Sequence, residues 1–351
     1  MPKRICVVGA GVSGLTAAIT LSKAGHDVTV VAKDQGERTT SSIAAAFWYP
    51  FWTGDKPDHS WYKREWAEIT YEVLSHLLNV PGAGISRTGL YEYYPHVMTD
   101  AEIDEIIESM WWLSPKTEYR PLLPDELTNR SLRGYRFNRG IYFKTFVVNM
   151  PDYLRYLAES LREFQKEPTE QIVQNLAELA TEYDFVVNCS GIGAQPLVPD
   201  YGVKAREGVV LQFTPCPTIN DIFLIHTGPY FEVRPLYIVP RSGKETDLIL
   251  GGSITEAFRE AERRAYQAQH IPADDIPEWA MEVVARIQSD CIEFAPELST
   301  CKLKKVQVGY RPSRHEARLA LEGNIIHNYG HGGGGVTLSW GCAEEVLQLI
   351  N

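Results

Sequence analysis

Two glycine-dense stretches are the first candidates for chemistry in this chain. Gly9, Gly11 and Gly14 of GAGVSG stand at GxGxxG spacing directly after RICVV, and four consecutive glycines, Gly332 to Gly335, precede the apolar segment VTLSWG. In the first stretch each glycine has a use: Gly9 permits a tight turn, Gly11 lets a pyrophosphate approach the backbone, and Gly14 lets a helix pack closely on a strand. The motif has that meaning only between a strand and a helix. RICVV is a short β-rich run; Leu15, Ala18, Ile19 and Leu21 then recur at helical spacing, and Gly25 precedes a second strand, HDVTVVA. The context predicts a dinucleotide fingerprint, with Gly9, Gly11, Val12, Ser13 and Gly14 against the phosphates. Asp34, just past the second strand, is the candidate carboxylate for the ribose hydroxyls, while Lys33 beside it keeps a nicotinamide alternative open, in which a lysine meets the 2′-phosphate. The second run has two readings, a flexible loop or a flat bed where a planar or anionic group meets a helix N-terminus.

The elements that must position these residues follow from periodicity. Tyr62, Trp66, Ile69, Val73 and Leu77 mark one face of a helix, DAEIDEIIESMWWL (100–113) a second, and Leu154, Leu157, Leu161 and Phe164 a third. YDFVVNCSGIGA reads as a buried strand ending in a small turn at Ser190 and Gly191, and PLYIVPR with DLILGGSI as two antiparallel strands joined by RSGKET. At 351 residues, 44% of them hydrophobic, the chain is long enough for two domains. A net charge of -11 and the lack of a basic stripe argue against a nucleic-acid partner. Six cysteines without a CxxC pair signal neither a zinc site nor a thioredoxin-type motif, so no metal is expected. No run has transmembrane length, no signal peptide is evident and LQLIN is not a peroxisomal address, so a cytoplasmic protein without a membrane partner is expected.

Five segments, in order along the chain, resemble the D-amino-acid oxidase family. TTSSIAAAFWYPF is similar to its TTT-x-x-AAG-x-W-x-P segment, and DFVVNCSG to its D-x-V-x-N-C-[TS]-G. PLYIVP with LGG is similar to its YII-P…LGG hairpin, and GYRPSR to its GxRPxR. HNYGHGGGGVTLSWGCA matches its C-terminal signature almost continuously from Ile326 to Ala343. The resemblance implies an α/β fold in which a Rossmann-like FAD-binding domain (1–50, 142–203 and 304–351) is interleaved with an α+β substrate domain on a mixed or antiparallel sheet (51–141 and 204–303). It places Thr40 and Ser41 near the cofactor phosphates, Ala45, Ala46 and Phe47 along the isoalloxazine, and Ser190 and Gly191 beneath the FAD. Gly332, Gly333, Gly334, Gly335, Val336 and Thr337 would form the bed and helix N-terminus at the pyrimidine side of the flavin. Without it, Trp48 and Trp52 read as core or interface aromatics.

The same resemblance assigns the substrate carboxylate to Arg311 and Tyr237, and the amino group to the carbonyl of Gly333. It implies oxidative deamination of a D-amino acid, with FAD as cofactor and O2 as second substrate, giving a 2-oxo acid, ammonia and hydrogen peroxide. No side-chain base is required, and His327 and His331 read as loop-shaping residues. Members of that family frequently form homodimers. Two departures suggest an altered substrate pocket: Val233 stands where a second tyrosine is frequent, and Gly334 where another is. Arg234, three residues before Tyr237, raises the alternative of a D-aspartate or D-glutamate oxidase. A glycine, sarcosine or specialised amine oxidase is a second alternative, and a silent flavin-binding scaffold a third.

Overall fold

The computed structural model describes residues 1–51, 60, 62–227, 235–243, 246–252, 255–256 and 268–351. Among them one mixed sheet runs through the molecule, and its two halves differ in the direction of pairing. In the parallel half, strand Arg4–Val8 lies between Asp27–Ala32 and Phe185–Asn188, with Val7 opposite both Val30 and Val187, and Ile325–His331 continues alongside Phe185–Asn188. Strands covered on both faces need apolar side chains on both, which is why ICVV is continuous rather than alternating and all four residues are buried.

The other half is mainly antiparallel. Tyr135–Val148 pairs with Ile85–Pro95, which lies parallel to Ile222–Ile225; Leu236–Arg241, Asp247–Gly251 and Lys204–Phe213 then follow. Strand Leu303–Glu322 joins the halves: Lys305–Ser313 pairs with Lys204–Phe213, and after an irregularity between Ser313 and Arg318 the remainder pairs with Ile325–His331. The domain boundaries expected from sequence at 141/142 and 303/304 fall inside the strands Tyr135–Val148 and Leu303–Glu322.

Helix Val12–Lys23 is buried from Val12 to Ser22 save Ser13 because the sheet, helix Gly335–Ile350 and helix Met150–Arg162 enclose it. Thr16 on this helix donates to the Ser339 carbonyl at 3.2 Å, tying it to Gly335–Ile350. Three sequence expectations shift here. The first amphipathic helix spans Arg64–Leu77 and buries Trp66, Ala67, Thr70, Tyr71 and Leu74, leaving Ile69 and Val73 half-buried. The second ends at Ser109, before the two tryptophans, and Phe164 lies past the end of helix Met150–Arg162. No helix among the described residues is long and apolar enough to cross a membrane.

Candidate active site

A cavity of about 670 Å³ opens where the parallel strands end and reaches into the antiparallel half. Two helix N-termini border it. The N-cap residues are Gly11 and Gly334, neither with a side chain to cap the first turn, and a Cβ at Gly335 would lie 3.9 Å from Val12 Cγ1. Each N-terminus carries roughly half a positive charge, so the pair favours an anion between them. Ser41, in the short helix Thr40–Ile43, accepts the Val12 N–H at 3.0 Å, while Thr40 donates to the Tyr310 carbonyl at 3.2 Å.

The glycine fingerprint works as a close approach of three backbones. Gly9 has φ +118°, and a Cβ there would meet the Cys189 carbonyl oxygen at 2.4 Å. A Cβ at Gly14 would sit 1.9 Å from the Gly9 oxygen, so Gly14 lies behind the cavity wall while Gly9, Gly11, Val12 and Ser13 form it. Lys33 and Asp34 line its outer end, together with Arg38, which pairs with Glu170 at 2.6 Å. Beneath the cavity, Asn188 Oδ1 accepts from the backbone N–H of Ser190 at 3.3 Å and from its hydroxyl at 2.6 Å, fixing the turn that brings Ser190 and Gly191 to the wall.

At the other end, Tyr237 and Arg311 converge from strands that are not neighbours. Two strands separate them, and on these Gly251 faces Tyr237 and Gly208 lies beside Arg311. A Cβ at Gly251 would lie 2.2 Å from the Tyr237 hydroxyl, and one at Gly208 would lie 2.2 Å from Arg311 Nη1. The missing side chains form a floor over which the phenol and the guanidinium reach each other. Burial raises the Tyr237 phenol above its ordinary pKa, and the charge of Arg311 opposes that rise. Among the described residues, Arg311 Nη1 is buried with no hydrogen-bond partner. A buried charged donor left unpaired is costly, so this atom marks where an anion belongs. Gly333 is close by: a Cβ on it would lie 3.4 Å from Phe51 Cζ and 3.9 Å from Arg311 Cδ.

Of the residues expected from sequence, Ala45, Gly332, Gly333, Gly335 and Val336 line the cavity, with Ile43 and Ala44 in addition. Ala46 and Phe47 stand behind it: the Ala46 carbonyl accepts from Val148 N–H at 2.8 Å, and Phe47 bridges to Val147. Gly334 is buried at the N-cap, and Thr337 Oγ1 accepts the Tyr49 N–H at 3.3 Å, inside the protein. Trp48 is core, its indole donating to the Ala67 carbonyl at 3.0 Å. His331 lines the cavity yet is buried, which depresses its imidazole to about 4, and His327 contacts Asn188 at 3.4 Å. Trp52, Val233 and Arg234 lie outside the described residues. Sequence reasoning missed Gly208 and Gly251 as parts of the site; the available signal was glycine in a strand interior, which marks a close approach.

The cavity fits FAD at each point where the chain can be tested: a side-chain-free cradle at Gly9 and Gly11, two helix N-termini, and a carboxylate at the outer end. Comparison with known proteins agrees. A family model described as FAD dependent oxidoreductase matches residues 4–349. A D-amino-acid oxidase of Rubrobacter xylanophilus is 36% identical over 355 residues, covering 99% of this chain and 95% of that protein. A D-aspartate oxidase of Homo sapiens is 28% identical, with 99% and 94% covered. Among solved structures, glycine oxidase from Bacillus cereus superposes with a TM-score of 0.72 at 17% identity, over 99% of this chain and 94% of that one, a likeness of fold.

Proposed function

Since the chain belongs to the FAD-dependent oxidoreductase family, we propose that it oxidises D-amino acids to 2-oxo acids and ammonia, with O2 reduced to hydrogen peroxide. The observation that carries this reading is the buried, unpartnered Nη1 of Arg311 beside the Tyr237 phenol and Gly333. A guanidinium offers two parallel N–H donors that match a carboxylate, a geometry lysine lacks. Arg311 thus takes the substrate carboxylate, the Tyr237 hydroxyl donates to one of its oxygens, and the Gly333 carbonyl accepts from the amino group. When bound, FAD supplies the acceptor for the hydride that leaves Cα. With the carboxylate and the amino group both held, only one enantiomer presents its Cα hydrogen to the acceptor, so the chirality of the substrate is read by position.

No side chain of the site has to act as a base when the amine binds neutral. The work of the protein is then orientation, for which effective molarities of roughly 10⁵ M or more are available. Burial keeps His331 neutral at physiological pH, which suits a residue that shapes the loop rather than one that shuttles protons.

The test is an absorbance spectrum of the purified protein without oxygen, before and after addition of each of a panel of D- and L-amino acids. Bleaching of the flavin band by D-forms alone supports the reading; a band that no amino acid bleaches overturns it. The likeness to a D-aspartate oxidase favours one second reading, an acidic D-substrate held through Arg234. Under it, Arg234→Ala lowers turnover of D-aspartate relative to D-alanine roughly tenfold or more; an unchanged ratio removes the idea.

A further inference from the structure

Far from the cavity, two free cysteines meet at the join between strands Lys204–Phe213 and Leu303–Glu322. Phe213 is paired with Leu303, and the pairing runs on past the strand ends: Thr214 N–H donates to the Lys302 carbonyl at 2.9 Å, and Lys302 N–H to the Thr214 hydroxyl at 3.0 Å. One step further, Cys216 Sγ lies 3.8 Å from the Glu297 carbonyl on the opposite segment, and Cys301 Sγ lies 3.8 Å from the Pro215 carbonyl. The side chain of Cys216 acts directly on the Cys301 thiol and helps to raise its pKa. Cys216 is buried and Cys301 half-buried, so one sulfur of the pair can be reached from solvent. Cys6, Cys189, Cys291 and Cys342 are all buried.

We propose that Cys216 and Cys301 are a redox modification site that a hydroperoxide closes into a reversible disulfide. The Cys301 thiolate attacks the O–O bond of the peroxide, forming S–OH and releasing hydroxide. The Cys216 thiolate then attacks the Cys301 sulfur; the S–S bond forms, the S–O bond breaks, and the leaving hydroxide is protonated to water. Two thiols and one hydrogen peroxide give one disulfide and two waters, the sulfurs together losing the two electrons that the O–O bond gains. Burial holds the Cys301 thiol above its ordinary pKa, so the thiolate is scarce at neutral pH and the reaction accelerates as the pH rises.

The bond would close a ring that contains strand Leu236–Arg241, with Tyr237, and helix Glu278–Phe294, and would pin the start of the strand that carries Arg311. Such a ring restricts the unfolded chain and raises the thermal midpoint by ~5 °C.

The holoenzyme is treated with hydrogen peroxide, the excess removed with catalase, and the protein digested under non-reducing conditions. The proposal expects a cross-link between the Cys216 and Cys301 peptides, the loss of two free thiols, a raised thermal midpoint, and reversal of all three by dithiothreitol. In Cys216→Ser the Cys301 sulfenic acid accumulates and is trapped by dimedone; in Cys301→Ser neither cross-link nor adduct forms. Two outcomes overturn the proposal: a wild-type protein that keeps both thiols under peroxide, or one whose Cys301 is oxidised to sulfinic acid while Cys216 stays free. Because the peroxide is added, failure here leaves the proposed oxidase activity untouched.

Discussion

At Arg311 the fold holds a cation with one buried nitrogen unpaired, and the cost of that arrangement is what a carboxylate ligand relieves. Charge-assisted hydrogen bonds are worth about 1.5–3 kcal/mol each, so Arg311→Lys, which keeps the charge but loses the fork, is expected to lower kcat/KM roughly tenfold to hundredfold. Steady-state kinetics on D-alanine check this, and an unchanged kcat/KM would remove Arg311 from the substrate. Gly208→Ala carries the same argument without touching the arginine. Its methyl carbon would occupy space 2.2 Å from Nη1 and force the guanidinium off the floor, so KM is expected to rise at least several-fold with the flavin retained. The sequence motif named Arg311 and Tyr237, but it did not name Gly208, because a glycine seen along one strand does not announce which side chain from another strand will lie over it.

Two elements do most of the positioning. Helices Val12–Lys23 and Gly335–Ile350 start side by side with glycine N-caps, so their positive ends are left for a ligand. Ser41 offsets this at one point by accepting the Val12 N–H. Ser41→Ala is therefore expected to cost about 0.5–2 kcal/mol, measured as a lower thermal midpoint together with faster loss of FAD on dilution. Equal stability and equal FAD retention would mean that the hydroxyl is not needed there. The strand Leu303–Glu322 is the third such element, since it pairs with both halves of the sheet and so places Arg311 at their junction. Both helix starts were legible from their glycines. The inward face of Arg64–Leu77 was less so: spacing alone marked Ile69 and Val73, whereas packing buried Thr70, whose hydroxyl accepts from the N–H groups of Trp340 and Gly341.

For the molecule as a whole, buried histidine links stability to pH. Burial depresses His331 from 6.5 to about 4, with Cys342 Sγ 3.6 Å from its Nε2. The unfolded chain takes up a proton first as the pH falls, so this contribution is fully present above pH 6.5 and is lost as the pH drops through 4, in total about 3 kcal/mol. Desolvation lowers His327 as well, which acts in the same direction. Urea midpoints at pH 7 and pH 4.5 are expected to fall less steeply in His331→Asn than in the parent. Equal slopes would show that His331 does not titrate as a buried group.

The sequence by itself determined the parts whose signal is local. A strand, a glycine turn and a helix follow one another between Arg4 and Lys23, and the chemistry of a dinucleotide cradle is written in that spacing because every contact it needs lies within a few residues. The segment from Ile326 to Ala343 is equally local, although its first residues form strand Ile325–His331 rather than a loop. Only the tertiary structure decided which residues of TTSSIAAAFWYPF reach the cavity: Ala44 and Ala45 line it, whereas Ala46 and Phe47 are drawn away by pairing with the strand that ends at Val148. It also decided that Tyr237 meets Arg311 across two glycines, and that Cys216 meets Cys301. Those meetings depend on the order of strands in the sheet, which is fixed by long-range hydrogen bonding and burial, and no spacing along a single segment records it.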